Sequence, residues 1–188
     1  MSATTIRSAD PERDSAACAA IYAPSVEGSV TSFEERAPDA AEFATRIAGI
    51  SATHPWLIAE DDGEVVAYAY ACRHRERAAY RWAVDVSVYV AASRRGQGHG
   101  RSLYEALFAR LWRQRFQVAC AGITLPNEAS VALHERLGFV AVGVNRRIGW
   151  KEGAWRDVGW WQLELVPAGE DFPDEPLPPE PPPSPGYH

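Results

Sequence analysis

Residues 86–111, VSVYVAASRRGQGHGRSLYEALFARL, run from an alternating pattern through a glycine-rich turn into a helical repeat. Val86, Val88 and Val90 alternate with Ser87 and Tyr89, which predicts a strand. Leu103, Leu107 and Leu111 recur at a spacing of four, the apolar face of a helix. Glycines at 96, 98 and 100 lie between them. Such a junction aims backbone N–H groups and the positive end of a helix at one point, which suits a phosphate group. Arg94, Arg95 and Arg101 add positive charge beside it. The chain is therefore expected to combine sheet and helix and to hold a phosphorylated ligand where they meet.

The spacing narrows the ligand. A nucleotide P-loop needs Lys followed by Ser or Thr after its last glycine, and here Gly100 is followed by Arg101 and Ser102. A dinucleotide fingerprint needs its third glycine one residue later, with an acidic residue on the next strand, and QVACAGIT carries none. What remains is Arg95-Gly96-Gln97-Gly98-His99-Gly100, a Q/R-x-x-G-x-G/A pattern. An ordinary tight turn between strand and helix is the plain alternative.

A net charge of −6 argues against a general nucleic-acid binder, so the loop arginines are a local feature suited to one small anion. Cys18, Cys72 and Cys120 lie far apart with no C-x-x-C pair, which suits reduced thiols better than a disulfide framework or a zinc site. No run approaches the roughly 18 apolar residues of a membrane span, and the first residues lack a signal-peptide core. These features predict a soluble, cytoplasmic protein with no membrane or nucleic-acid partner. With 188 residues, the chain is expected to hold one domain over 1–166. From Pro167 on, nine prolines and five acidic residues predict an extended or disordered, solvated tail over 167–188.

Along the domain, a strand over Thr4–Ser8 precedes a helix capped by Asp10-Pro11 and running to about Tyr22. A second helix follows Pro38-Asp39. Residues 56–60 and 64–71 form a hairpin around Asp61-Asp62-Gly63. After the long helix come a strand over 117–124, a short helix over 130–137 ending at Gly138, and strands over 139–146 and 157–165. The order is β-α-α-β-β-β-α-β-α-β-β: an α/β (α+β) chain with a mixed central sheet of about seven strands and helices on both faces.

This order and the glycine loop resemble the GNAT superfamily of acyl-CoA-dependent N-acyltransferases. LPNEASVALHERLGF, GVNRRIGWKEGAWRDVGWWQLEL and RAAYRWAVDVSVYV are similar to its phosphinothricin N-acetyltransferase branch. The resemblance covers about Ile6 to Leu165. It implies acetyl-CoA as cosubstrate, neither metal nor flavin, a homodimer, and direct attack by a neutral amine in a ternary complex. It further implies that Val88, Tyr89 and Val90 bind the pantetheine arm through their backbone, joined by Asn127 and Ser130. Arg95, Gly96, Gln97, Gly98, His99, Gly100 and Arg101 would receive the pyrophosphate. Asp85 matches a family glutamate and His134 a family histidine, the two candidate catalytic groups. An aspartate near pKa ~3.9 is a weak partner for an ammonium except through water or after burial. Capping a loop or pairing with Arg81 is the structural alternative for Asp85.

Phe33, Arg75, Arg77 and Tyr80 match positions facing the amino-acid acceptor, with Arg73 a further candidate. An arginine there would hold an α-carboxylate and present the adjacent amine. Trp160 and Trp161 alternate across a strand, so one is expected in the core and the other facing a pocket or a subunit. Two other functions stay open at this point. One is the same chemistry on an aminoglycoside, polyamine or protein N-terminus; the other is an acyl-CoA-binding module without turnover.

Overall fold

The computed structural model describes residues 4–167 and 173–179. Seven strands form one mixed sheet in the order β1-β2-β3-β4-β5-β7-β6. They are β1 (Thr5–Ser8), β2 (Trp56–Asp61), β3 (Glu64–Arg73), β4 (Ala83–Val90), β5 (Val118–Leu125), β6 (Val140–Lys151) and β7 (Ala154–Glu164). Four helices accompany them: α1 (Pro11–Val26), α2 (Ala40–Ser51), α3 (His99–Arg113) and α4 (Glu128–Arg136). The order matches the pattern read from the sequence.

Local chemistry starts the helices where expected. The Asp10 carboxylate accepts from the N–H groups of Glu12 and Arg13, and Pro11 occupies the first helical position. Asp39 and Glu42 form a reciprocal capping box on α2. Each cap is worth about 1 kcal/mol. α1 runs through Pro24 to Val26, a turn beyond the expected end. β6 and β7 extend toward each other as a long hairpin, because Glu152 and Gly153 both take positive φ (51° and 68°) in a tight turn.

The sheet's period of two sorts its residues onto two cores. Leu57, Ala59, Val84 and Val86 face Leu103, Leu107 and Leu111 of α3. Trp56, Ile58 and Tyr68 face the other way, onto Tyr22 of α1 and Phe43 and Ile47 of α2. Trp161 belongs to the α3 core, and its neighbour Trp160 points to the opposite face, where it contacts His74 and Arg75.

One irregularity positions the site. β4 and β5 pair in parallel only over Ala83↔Val118, Val84↔Ala119 and Asp85↔Cys120. β4 then continues to Val90 and β5 to Leu125 without pairing, so the strands splay into a cleft that opens beyond Asp85.

Of the proline-rich tail, residues 173–179 lie against the domain. Trp82 Nε1 donates to the Asp174 carbonyl at 2.8 Å, and Gln114 exchanges two hydrogen bonds with the Leu177 backbone, each 2.9 Å. Arg81 pairs with Glu175 and Arg115 with Asp174. This stretch is extended and held by backbone groups that prolines leave free, rather than fully solvated. Residues 168–172 and 180–188 of the expected tail lie outside the described residues. Among the described residues no helix is long and apolar enough to cross a membrane.

Candidate active site

The glycine loop joins β4 to α3 at the open end of the cleft. Gly96 and Gly98 adopt φ of 76° and 92°, a region in which a side chain is strained. Gly98 starts α3 without a side-chain cap, so the first N–H groups of the helix keep no intrahelical partner. Gly100 is buried; a methyl group there would meet Leu133 at 3.4 Å and Val90 at 3.7 Å. The loop's side chains differ in posture. Arg95 Nε reaches back to the Val90 carbonyl at 3.5 Å, and Gln97 donates to Ser93 O at 3.3 Å. Arg101 is exposed and bonded to Glu105 at 2.7 Å. Arg94 turns to Glu64 of the β2–β3 hairpin at 3.3 Å. His99 is buried, with Nε2 3.4 Å from Asp61.

The cleft is lined by Val86–Tyr89 of β4, Ala121–Thr124 of β5, Tyr104, Asn127, Ser130, His134 and Thr31. The Ala91 N–H bonds Val66 O at 2.9 Å, which fixes the alternation of β4's backbone groups. Those of Tyr89 point to β3, whereas the N–H and C=O of Val88 and Val90 point away from it, into the splay. The Tyr89 side chain packs edge-on against Tyr22, with ring centroids 4.9 Å apart, on the α1 face.

Asn127 caps α4, its Oδ1 accepting the Ser130 N–H at 3.2 Å. One turn on, His134 is 3% exposed. Its Nδ1 lies 2.7 Å from the Ser130 carbonyl, which can only accept, so Nδ1 carries the proton. Nε2 then accepts from the Tyr104 hydroxyl at 3.1 Å. Burial lowers the His134 pKa, the Ser130 bond opposing it in part, so the imidazole is neutral. Tyr104, 1% exposed, is a site residue that the sequence reading missed; it lies one residue past Leu103 of the helical stripe and reads as core.

Asp85 lies at the closed end, on the face opposite Val84 and Val86. Its register partners are Cys72 on β3 and Cys120 on β5. Burial pushes the Asp85 carboxyl up, while a hydrogen bond from His74 pulls it down. Burial and the Asp85 charge push both thiols up to about 11, so they stay protonated. The partner of Asp85 is His74, not Arg81: His74 Nδ1 lies 2.6 Å from Asp85 Oδ1. Nothing in the charged run RHRERAAYRW distinguishes His74 before β3 and β4 are in register. His74, Asp85 and Cys120 offer ligand atoms within 4.8 Å of one another, the one such group among the described residues. Within it, the His74–Asp85 hydrogen bond is the short contact.

The acceptor candidates divide. Tyr80 meets the His74 ring edge-on at 6.0 Å, and the Arg75 guanidinium sits 5.7 Å from the Trp160 ring centroid and bonds the His74 carbonyl at 2.7 Å. Arg75 also lines a recess, together with Arg73, Arg77, Arg81, Phe116 and residues 175–178, in which Tyr80 and Phe33 take no part. Phe33 is 39% exposed, its ring lying over Gly149 of β6, where a methyl group would collide at 2.3 Å.

Residues 6–160 match the acetyltransferase (GNAT) domain family. A phosphinothricin N-acetyltransferase of Alcaligenes faecalis is 41% identical over 167 residues, covering 86% of this chain and 83% of that protein. An L-methionine sulfoximine/L-methionine sulfone acetyltransferase of Salmonella typhimurium is 34% identical over 165 residues, 86% of this chain and 94% of its own. Among solved structures, a GNAT superfamily phosphinothricin acetyltransferase from Sinorhizobium meliloti in complex with AcCoA superposes with a TM-score of 0.86 at 35% identity. That match covers 92% of this chain and 94% of that one.

Proposed function

The chain belongs to the GNAT acetyltransferase family, and we propose that it carries the acetyl group of acetyl-CoA to the α-amine of a small amino acid or analogue. The acceptors in view are those of its named relatives: phosphinothricin, methionine sulfone and methionine sulfoximine. The observation that carries this reading is the splay between β4 and β5, with the glycine loop at its open end and Asp85 at its closed end.

In this reading the pyrophosphate meets the N-terminal N–H groups of α3, with Arg95 and Arg101 within reach of its oxygens. The pantetheine arm bonds the free backbone groups of Val88 and the Val90 N–H, with Arg95 on the Val90 carbonyl, and the amide nitrogen of Asn127 adds a donor. Those bonds extend the sheet with a ligand in place of a strand, which aligns the thioester toward Asp85. Arg75 holds the acceptor's α-carboxylate beside Trp160, and Tyr80 and Phe33 give the pocket its apolar walls. The neutral amine attacks the thioester carbon directly; the C–N bond forms, the C–S bond breaks, and CoA leaves. The acceptor's proton is removed at the closed end of the cleft, where Asp85 lies. His134 and Tyr104 form an uncharged, hydrogen-bonded pair beside the arm.

The catalytic unit is residues 1–166, with 167–188 as an appendage. A homodimer is supported by β6, an edge strand with Val140, Val142, Ile148 and Trp150 largely exposed. Three free cysteines and the use of acetyl-CoA support a cytoplasmic setting.

Thiol release from acetyl-CoA is the test, with the three analogues, ordinary amino acids, a polyamine and an aminoglycoside as acceptors. Saturable turnover on the amino acids and analogues is expected. Turnover confined to the polycations would discard the role given to Arg75. Tight acetyl-CoA binding with no turnover would favour a binding module.

A further inference from the structure

We propose that His74, oriented by Asp85, is the group that takes the proton from the acceptor's ammonium. The proposal rests on the reading of this cleft as an N-acetyltransferase site and names the base within it.

An ionised carboxylate only accepts hydrogen bonds, so the 2.6 Å contact places the proton on His74 Nδ1. Nε2 is then the nitrogen with the free lone pair, and among the described residues it has no hydrogen-bond partner. This is the division of labour of an Asp–His pair: the carboxylate fixes the tautomer and steadies the imidazolium, and the far nitrogen does the chemistry. The ring is also fixed from the side, with Tyr80 edge-on at 6.0 Å and Trp160 at 6.1 Å. His74 follows the last residue of β3, two residues past Cys72, which opposes Asp85, so the register itself brings the two together.

The geometry favours the imidazole over the carboxylate. With Nδ1 committed to Asp85, the ring presents a lone pair at Nε2, the arrangement in which histidine serves as a general base. Aspartate is also one methylene shorter than the glutamate implied by the family resemblance. His74 restores the reach. The charged or titratable groups around it are Asp85, Arg75 and Tyr80, with the protonated thiols of Cys72 and Cys120 behind Asp85.

The protons balance as follows. An N–H bond of the ammonium breaks as Nε2–H forms, and that proton later passes to water. The neutral amine forms the C–N bond as the C–S bond breaks. The amine's second proton ends on the CoA sulfur, and the third stays on the amide.

The experiment compares His74→Asn with the unmutated enzyme, since an asparagine amide can still donate to Asp85 while removing the base. Turnover is measured on the best acceptor of the panel, whatever its class, so a wrong acceptor assignment does not obscure the result. We expect kcat to fall about 100-fold or more, with unchanged acetyl-CoA affinity and melting temperature. The acidic limb of the kcat/KM pH profile should vanish. Asp85→Asn should lower kcat similarly, and the double variant should be little worse than either single one. Turnover within about threefold of the unmutated enzyme, with the acidic limb intact, would overturn the proposal. So would a His74→Asn loss confined to the KM of the acceptor, which would make His74 a binding residue.

Discussion

At the scale of single residues, the site depends on which nitrogen of each histidine holds its proton. The Ser130 carbonyl commits the Nδ1 proton of His134, leaving Tyr104 as the donor to Nε2 inside a nearly closed space. Removing that donor strands a buried acceptor, which costs about 1–3 kcal/mol. Tyr104→Phe is accordingly expected to lower the unfolding free energy by that amount, read as a fall in the urea midpoint with the denaturant slope unchanged. The pH dependence has a definite sign. Burial lowers the folded pKa of His134, so its contribution to stability is full above the ordinary value near ~6.5. Below that value the unfolded chain takes up a proton first, and the contribution declines until the folded pKa is passed. Following the His134 ring resonances by NMR through the titration checks this directly: the ring should remain neutral at pH values where an exposed histidine is already charged.

At the scale of elements, the loop between β4 and α3 joins the phosphate contact to the backbone geometry that allows it. Gly98 has φ 92° and open space where a side chain would go, so a substitution there acts through the backbone rather than through a clash. Gly98→Ala should cost about 1–2 kcal/mol if the conformation is kept, or move the α3 N–H groups off the pyrophosphate if it is not. Either way the KM for acetyl-CoA should rise more than the KM for the acceptor, which initial-rate kinetics with each substrate varied will separate. This loop was legible because strand, glycine spacing and leucine stripe are all local signals, as were the Asp10 and Asp39 caps. The β6–β7 hairpin was under-read: Glu152-Gly153 forms the turn only because a glutamate accepts positive φ there, against its usual preference. The Asp85–His74 pair could not be read at all, since it is made by the β3–β4 register between residues eleven positions apart. Arg75 and Arg77 looked equivalent in sequence, and both line the recess beside residues 175–178, yet Arg75 also sets its guanidinium against the Trp160 ring.

At the scale of the whole molecule, the first strand and first helix are tied to the sheet by a buried charge rather than by apolar contact alone. The Asp14 side chain is fully buried and accepts two hydrogen bonds from Arg7, each 2.6 Å, and one from the Asp10 N–H at 2.7 Å. Arg7 reaches on to Glu60 of β2 at 2.8 and 2.9 Å, so β1, α1 and β2 share one network. Burial alone would raise the Asp14 carboxyl, but the bonds from Arg7 and Asp10 outweigh it and hold the pKa below the ordinary carboxylate range. A depressed carboxylate contributes its full stability above the unfolded value near ~3.9 and loses it as pH falls through the folded value. Asp14→Asn keeps the shape and removes the charge. Arg7 would keep Glu60, which places the expected loss at the low end of the range for breaking a buried pair, about 3 kcal/mol at pH 7. The gap between the two proteins should then narrow as urea unfolding is repeated at falling pH below the ordinary carboxylate range. A gap that stayed constant down to pH ~2 would mean that the geometry of the amide, not the lost charge, sets the cost. Because the network lies on the far side of β3 from Asp85 and His74, the stable fraction of the variant should keep its kcat.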